Sequence, residues 1–194
     1  MVMTRKTDAG QGSITRTQRN RRTGVSLAVA AGVAMMAGGC NTPRLGTYNV
    51  RLTLDSGLRQ SGNTPNLSVD MIALSSEIAG PIEDKPVSDY FRPGDFDRRD
   101  FVESGQVKTF TFGPGDTEDK VLEMRDPIWA KAWKNDENLY VLANLPQAGF
   151  GAEADRNRRV ALPRQTDRWD TKTITIRVTG QRLVVETPQL EGSE

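Results

Sequence analysis

Hydrophobic and polar residues alternate with a period of two in several short segments of the chain. In residues 47–55, Tyr48, Val50, Leu52 and Leu54 fall on one face, and polar side chains fall on the other. Such alternation is typical of a strand with one buried face. Similar patterns or short apolar runs predict strands over 67–75, 106–112, 120–124, 138–145, 159–163, 172–179 and 182–187.

Helical patterns are fewer than strand patterns. Asp126 and Pro127 match the N-cap and first position of a short helix over 126–133. A single turn is predicted at 87–91, and prolines make the rest of 76–106 irregular. The chain therefore predicts an all-β, two-sheet β-sandwich of about 150 residues, with seven or eight short strands and one or two short helices.

The first 39 residues follow a different pattern. A basic stretch ending at Arg22 precedes an apolar run over 25–37, and small residues then lead to Cys40. This run is shorter than the roughly 20 residues of a membrane-spanning helix. The order basic, apolar, small predicts an export signal peptide over residues 1–39. The alternative is a free cysteine that follows an uncleaved membrane helix.

The segment ending Gly39-Cys40 resembles the lipobox of bacterial lipoproteins. This resemblance implies cleavage between Gly39 and Cys40 and covalent lipid, such as palmitate, on Cys40. One acyl chain anchors a protein only marginally, so a stable anchor requires two or three chains. Asn41, in place of aspartate, favours the outer membrane and a domain that faces the periplasm. A tether over 40–46 and a β domain over 47–190 would follow, and the export route, general secretion or twin-arginine, stays open.

Composition narrows the classes of function. Residues 1–39 hold six of the 26 basic residues and one of the 25 acidic residues. The remaining residues, 40–194, therefore hold 20 basic and 24 acidic residues and carry a net charge near −4. A net acidic domain argues against nucleic acid as a partner. The chain has no histidine and one cysteine, which excludes Ser-His-Asp and Cys-His catalysis and an internal disulfide. We therefore expect no enzyme activity, no metal and no cofactor apart from the lipid on Cys40.

Three groups of residues carry candidate chemistry. The cluster Asp95, Asp97 and Asp100 suits either a calcium loop or a charged turn with internal ion pairs, and the interleaved arginines favour the turn. A hydrolase that works with carboxylates stays open as an alternative. Trp129, Trp133 and Trp169 could form a carbohydrate platform, but the four-residue spacing of the first two favours core packing. Arg156, Arg158 and Arg159 are predicted to form a small basic rim on a loop.

The order of these parts is similar to that of TssJ-type outer-membrane lipoproteins of type VI secretion systems. The resemblance covers most of the chain after the lipobox, and Asn63, Pro65 and Asn66 lie in the loop between its first two strands. Arg158-Arg159 departs from the Trp-Arg pair of that family, and DPIWAKAW is an insertion. The segments that carry the resemblance are VRLTL, NLSVDMIAL, VSDYFRPGDF, FTFGPGD, LYVLANL with RRVALP, and ITIRVTGQRLVVE.

This resemblance implies a transthyretin-like sandwich that binds protein and has no catalytic role. The lipoprotein would act as a structural tether that holds the periplasmic domain of an inner-membrane secretion protein. Asn63, Pro65 and Asn66 would contact that partner, although an ordinary exposed connection explains the same loop. A second hypothesis is a lipoprotein that binds a glycan or small molecule through its tryptophans.

Overall fold

The computed structural model describes residues 45–60, 66–146 and 148–190. Within these ranges it contains eight strands, six short helices and one 3₁₀ turn. The strands are β1 Asn49–Leu54, β2 Leu67–Leu74, β3 Val107–Phe112, β4 Lys120–Leu122, β5 Asn138–Ala143, β6 Arg159–Pro163, β7 Thr173–Val178 and β8 Leu183–Val185. The helices are α1 Ser56–Gln60, α2 Gly80–Glu83, α3 Val87–Tyr90, α4 Phe96–Glu103, α5 Ile128–Lys131 and α6 Ala152–Asn157, and the 3₁₀ turn is Thr166–Arg168.

The strands form two sheets of four. The first has the order β4-β1-β7-β8, and the second has the order β3-β2-β5-β6. The strands β1 and β7 run parallel, with Asn49 opposite Thr173 and Leu54 opposite Val178, and every other named pair is antiparallel. This arrangement confirms the predicted all-β, two-sheet sandwich.

Strand direction gives the sandwich two distinct poles. The proximal pole is the end where the chain enters β1, and it holds residues 45–48, 123–137 and 164–172. There the amide of Gly46 donates to the carbonyl of Arg164, 2.9 Å away. The distal pole holds residues 55–60 and 66, 113–119, the described part of 144–158, and 179–182. There the ammonium of Lys120 lies 5.8 Å from the ring centre of Phe112, which brings the two sheets together at this pole.

The main core lies between the two sheets. The four apolar residues that alternate along the first strand, Tyr48, Val50, Leu52 and Leu54, are all buried there as predicted. Each apolar side chain removed from water contributes about 1.5–3 kcal/mol. The other large members are Leu58, Leu67, Val69, Met71, Phe112, Leu122, Trp129, Trp133, Leu139, Val141, Leu145, Leu162, Trp169, Ile174, Ile176, Val178 and Leu183.

A second core covers the outer face of β2 and β5. Ile72, Leu74, Tyr140 and Leu142 project there and pack against residues of α2, α3 and the turn before them. Those covering residues are Ala79, Ile82, Val87 and Tyr90. The central strands β2 and β5 are therefore buried on both faces, which explains why the burial of β2 is nearly continuous along its length.

The structure has more helical turns than the sequence predicted. The segment predicted as a charged turn forms α4, because the carboxylate of Asp95 accepts from the amide of Arg98 and caps the helix. The connection between the first two predicted strands contains α1, and the connection between the predicted strands at 138–145 and 159–163 contains α6. The predicted helix at 126–133 is reduced to α5, and its N-cap falls on Pro127 where Asp126 was predicted. Asp126 precedes the cap, and its Oδ1 accepts from the amide of Ile128 at 2.9 Å.

Several predicted features lie outside the described residues. Gly39, Cys40, Asn63 and Pro65 are among them, so the signal peptide, the lipid and the first part of the proposed contact stay predictions. The domain boundaries also stay predictions. Over the described ranges, no helix combines the length and the apolar character that crossing a membrane requires.

Candidate functional site

The distal pole begins with α1, which directly follows β1. Asp55 starts this helix: its carboxylate accepts from the amide of Gly57 at 3.1 Å, and its carbonyl accepts from the amide of Leu58 at 3.0 Å. The bond from Gly57 and a second bond from Arg177 hold the pKa of Asp55 below its ordinary value. Leu58 points into the main core and is 7% exposed. Thus α1 is fixed to the sandwich at both its start and its middle.

Arg59 joins this segment to the neighbouring connection. Its Nε donates to the carbonyl of Leu54 at 2.9 Å, and its Nη2 lies 2.7 Å from Oδ1 of Asp119. Because Asp119 directly precedes β4, this ion pair ties the β1–β2 connection to the β3–β4 connection. Both groups are about one-third exposed, so the pair orders the surface and adds little stability.

Asn66 is the described member of the predicted contact set. It is exposed and lies one residue before β2, at the distal pole. The structure therefore places it on the surface that the first loop presents. Asn63 and Pro65 lie outside the described residues, so their proximity to Asn66 is a sequence relationship.

Phe150 is a distal-pole residue that the sequence analysis missed. It is 94% exposed and lies between Gly149 and Gly151, whose φ angles are +77° and +97°. Positive φ favours glycine because other residues meet steric resistance there. The Gly-Phe-Gly sequence was the available signal for an aromatic residue presented on a turn.

The proximal pole holds the three tryptophans. Trp129, Trp133 and Trp169 are 3%, 0% and 6% exposed, and their indole nitrogens donate to backbone carbonyls at 2.7–2.9 Å. Tyr48 packs edge-on against Trp129 and Trp169, with ring centres 5.4 and 6.2 Å apart. Core packing is confirmed, and the hypothesis of an exposed carbohydrate platform is wrong because no indole face is available.

Arg164 is a buried cation beside these rings. It is 2% exposed, lies 5.1 Å from the ring centre of Trp129, and donates to the carbonyls of Trp133 and Asp136. Burial lowers the pKa of Arg164, although nearby Tyr48 and Asp136 oppose that effect. Backbone carbonyls thus accept hydrogen bonds from this guanidinium, and these bonds join the end of β6 to the β4–β5 connection.

The aspartate cluster is structural. Lys85 lies 2.5 Å from Oδ2 of Asp95 and 2.6 Å from Oδ2 of Asp97, while Asp100 faces Arg99 at 3.6 Å. The prediction of ion pairs is confirmed, but only the pair of Asp100 with Arg99 is internal to the segment, because Asp95 and Asp97 pair with Lys85 and the segment is a helix. Among the residues that the structure describes, no group of three or more acidic or sulfur ligands is arranged to hold a metal ion.

Two further polar groups differ from expectation. The predicted basic rim is wrong for Arg158 and Arg159: Arg158 is 6% exposed and donates to the carbonyl of Leu145, and Arg159 donates to the carbonyls of Glu83 and Lys85. Asp70 lies fully buried in β2, where Arg98 and Thr109 donate to it. A single aspartate within an apolar strand was the signal for this buried ion pair.

Comparison with solved structures gives three examples of similar folds. A chain in a structure of the C-terminal domain of the type VI secretion protein TssM from EAEC has 17% identity and a TM-score of 0.47, over 72% of this chain and 99% of that one. Lip of Serratia marcescens, a membrane-bound component of the type VI secretion system, has 12% identity and a TM-score of 0.42, over 72% and 96%. The T6SS lipoprotein TssJ1 of Pseudomonas aeruginosa has 14% identity and a TM-score of 0.40, over 77% and 100%.

No family model matches this chain, and no curated protein sequence matches it. The structural identities and TM-scores are low, so a function has to be argued from the chain's own sequence and geometry.

Proposed function

We propose that this chain is a lipid-anchored envelope lipoprotein that acts as a structural tether in a type VI-like secretion complex and carries out no catalysis. Lipid on Cys40 would hold it to the outer membrane, with the sandwich facing the periplasm. The distal pole would hold the periplasmic domain of an inner-membrane secretion protein. The sequence resemblance to TssJ-type lipoproteins suggests this assignment.

The separation of the two poles is the observation that carries the proposal. The chain enters the sandwich at the proximal pole, where Gly46 and Leu45 are held by backbone contacts to residues 164 and 165. The connection that leaves β1 lies at the distal pole, one full strand length away. A tether requires this arrangement, because the anchored end and the partner-binding end must face opposite directions.

The rigidity of α1 also supports binding at the distal pole. Asp55, Leu58 and Arg59 fix this helix to the sheet, so the segment that leads to Asn66 starts from a defined position. A partner that contacts α1 would meet a segment that is already fixed to the sheet, which lowers the entropy cost of binding. The surface offers exposed polar groups, which suits the rim of a protein interface.

Lipidation is tested by replacement of the predicted acceptor. Wild-type protein should fractionate with membranes and yield an acylated peptide that begins at Cys40 in mass spectrometry. Cys40→Ser should abolish both signals. If the serine variant keeps the wild-type membrane fraction and no acylated peptide occurs, the lipoprotein assignment is wrong.

Partner binding is tested with the purified periplasmic domain of the inner-membrane secretion protein from the same genome. Wild-type lipoprotein in detergent should capture this domain, and the combined variant N63A/P65A/N66A should weaken capture by about tenfold or more. Asn135→Ala is the matched control, because Asn135 is an exposed asparagine at the proximal pole. Absence of wild-type capture, or equal loss in the control, would overturn the proposed contact.

A further inference from the structure

Phe150 is almost entirely exposed to solvent. Its 94% exposure is the highest among the exposed large hydrophobic residues of the described chain, which otherwise range from 42% to 64%. Phe96, the next most exposed, is partly covered by the guanidinium of Arg99, 4.6 Å from its ring centre. Burial of a phenylalanine ring away from water is favourable, and within this domain Phe150 makes no such gain. This unburied ring therefore calls for an explanation outside the folding of the domain.

The backbone around Phe150 is built on two glycines. A Cβ added at Gly149 or Gly151 would meet no atom within 4 Å, so lack of space does not explain these glycines. Their positive φ angles explain them, because the backbone turns sharply on each side of the phenylalanine. The turn holds the ring away from both cores.

The base of this turn is firmly attached to the sandwich. Arg158 Nη2 donates to the carbonyl of Leu145 at 2.9 Å, just before the turn. After the turn, Ala154 is buried, and Asp155 Oδ1 accepts from the amide of Val87 at 3.0 Å. Attachment on both sides means that the ring is presented from a supported position, which lowers the entropy cost of binding.

Phe150 also belongs to the same pole as the proposed contact loop. Val69 pairs with Ala143, and the amide of Asn144 donates to the carbonyl of Ser68 at 2.9 Å. The chain therefore enters β2 beside the point where it leaves β5, so Asn66 lies at the same end of the second sheet as the connection that carries Phe150. An aromatic residue beside polar exposed groups is typical of an interface hot spot within a polar rim.

We propose that Phe150 is an anchor residue for the protein partner, and that its ring inserts into an apolar pocket on the periplasmic domain that the first loop contacts. This inference rests on the proposed function. The described chain enters the sandwich at the proximal pole, whereas Phe150 lies at the distal pole, which disfavours the anchoring membrane as the occupant. A second copy of this chain is disfavoured, because one aromatic ring falls far short of the roughly 1,000 Å² that a stable interface buries.

The test compares two exposed phenylalanines in the full lipidated protein in detergent. Phe150→Ala should weaken binding of the purified periplasmic domain by about tenfold or more, while Phe150→Leu should retain part of the affinity. Phe96→Ala is the matched control and should stay within about twofold of wild type. Thermal unfolding should be unchanged in Phe150→Ala, since the ring contributes little to the fold.

The outcomes separate this inference from the proposed function. If N63A/P65A/N66A loses binding but Phe150→Ala does not, the anchor role is wrong and the tether function stands. If wild-type protein does not bind the periplasmic domain, both are overturned. A dimer that Phe150→Ala dissociates in light scattering, or vesicle binding that it abolishes with partner binding intact, would assign the ring to another occupant and overturn the inference.

Discussion

The guanidinium of Arg98 donates from Nε to the fully buried carboxylate of Asp70, with 2.7 Å between Nε and Oδ2. Tyr90 and Thr109 donate to the same carboxylate at 3.2 and 2.7 Å. The bond to Asp70 raises the pKa of Arg98, so the guanidinium keeps its charge throughout the ordinary pH range. The network joins α3, α4, β2 and β3, and thereby fixes the helical layer to the second sheet.

Replacement of Asp70 should destabilise the protein strongly. Asp70→Asn leaves the charge of Arg98 without its partner, and loss of one member of a buried ion pair costs about 3–5 kcal/mol. Because the Arg98 side chain is 31% exposed and can reach water, we expect a smaller loss of about 2–3 kcal/mol. Equilibrium urea unfolding measures this change.

The matched control for Asp70→Asn is Asp100→Asn, because Asp100 lies in α4, the helix that also carries Arg98. The Asp100 side chain is 52% exposed, and an exposed substitution should change the free energy of unfolding by at most about 0.5 kcal/mol. Equal stability of the two variants would show that the buried network does not hold the layer to the sheet.

The same layer predicts a dependence of stability on pH through Asp95. Burial raises the pKa of Asp95. The hydrogen bond from the amide of Arg98 and the ammonium of Lys85 lower this pKa by a larger amount, so the net shift is downward. The carboxylate therefore contributes stability that is fully present above its unfolded pKa of about 3.9 and is lost as the pH falls through its folded pKa. Asp95→Asn keeps a capping side chain but removes the charge.

Urea unfolding from pH 7 down to acid measures this contribution. At neutral pH the free energy of unfolding of the wild type should exceed that of Asp95→Asn by about 1 kcal/mol. This difference should shrink as the pH falls below the unfolded pKa. Lys85→Gln should reduce the same pH dependence, because it removes one of the groups that lowers the pKa. A difference that stays constant across the whole range would contradict the assignment.

Much of the sandwich could be predicted because alternation maps directly onto burial. The alternating residues of β1 all lie in the main core, and the strands predicted at 172–179 and 182–187 are present as β7 and β8, which pair with each other. Short helices such as α2 and α4 escaped prediction, because four to eight residues give little helical periodicity and the prolines within 76–106 suggested breaks. Their stability comes from tertiary contacts, of which the Asp70 ion pair is one, and local sequence does not record such contacts.

Because all three indole rings are buried, a dissolved quencher should reach them poorly in the folded protein. Their fluorescence should be weakly quenched by acrylamide in the folded protein and strongly quenched in urea, because only unfolding exposes the rings. Addition of soluble glycans should leave the emission spectrum unchanged. Strong quenching of the native protein, or a glycan-dependent change in emission, would restore a surface role for Trp129, Trp133 or Trp169.

The candidate site was only partly predictable, for a geometric reason. Asn66 could be found because a resemblance in segment order points to the first loop. Phe150 could not be found in the same way, since exposure of a single aromatic depends on the backbone of Gly149 and Gly151 and on the attachment of its loop through Arg158. Proximity of the two loops follows from the pairing of β2 with β5, which is a long-range contact.

Gly46 and Thr166 supply the last prediction, which concerns how the chain enters the sandwich. A Cβ built on Gly46 would lie 2.0 Å from Cγ2 of Thr166, so Gly46→Ala forces one of the two segments to move. Overpacking of this kind costs about 1–3 kcal/mol, which urea unfolding would detect. Thr166→Ser removes the conflicting methyl group, so G46A/T166S should recover most of the lost stability while Thr166→Ser alone changes it little. Additive losses in the double variant would show that the two residues do not meet, and that the proximal pole holds the incoming chain by other contacts.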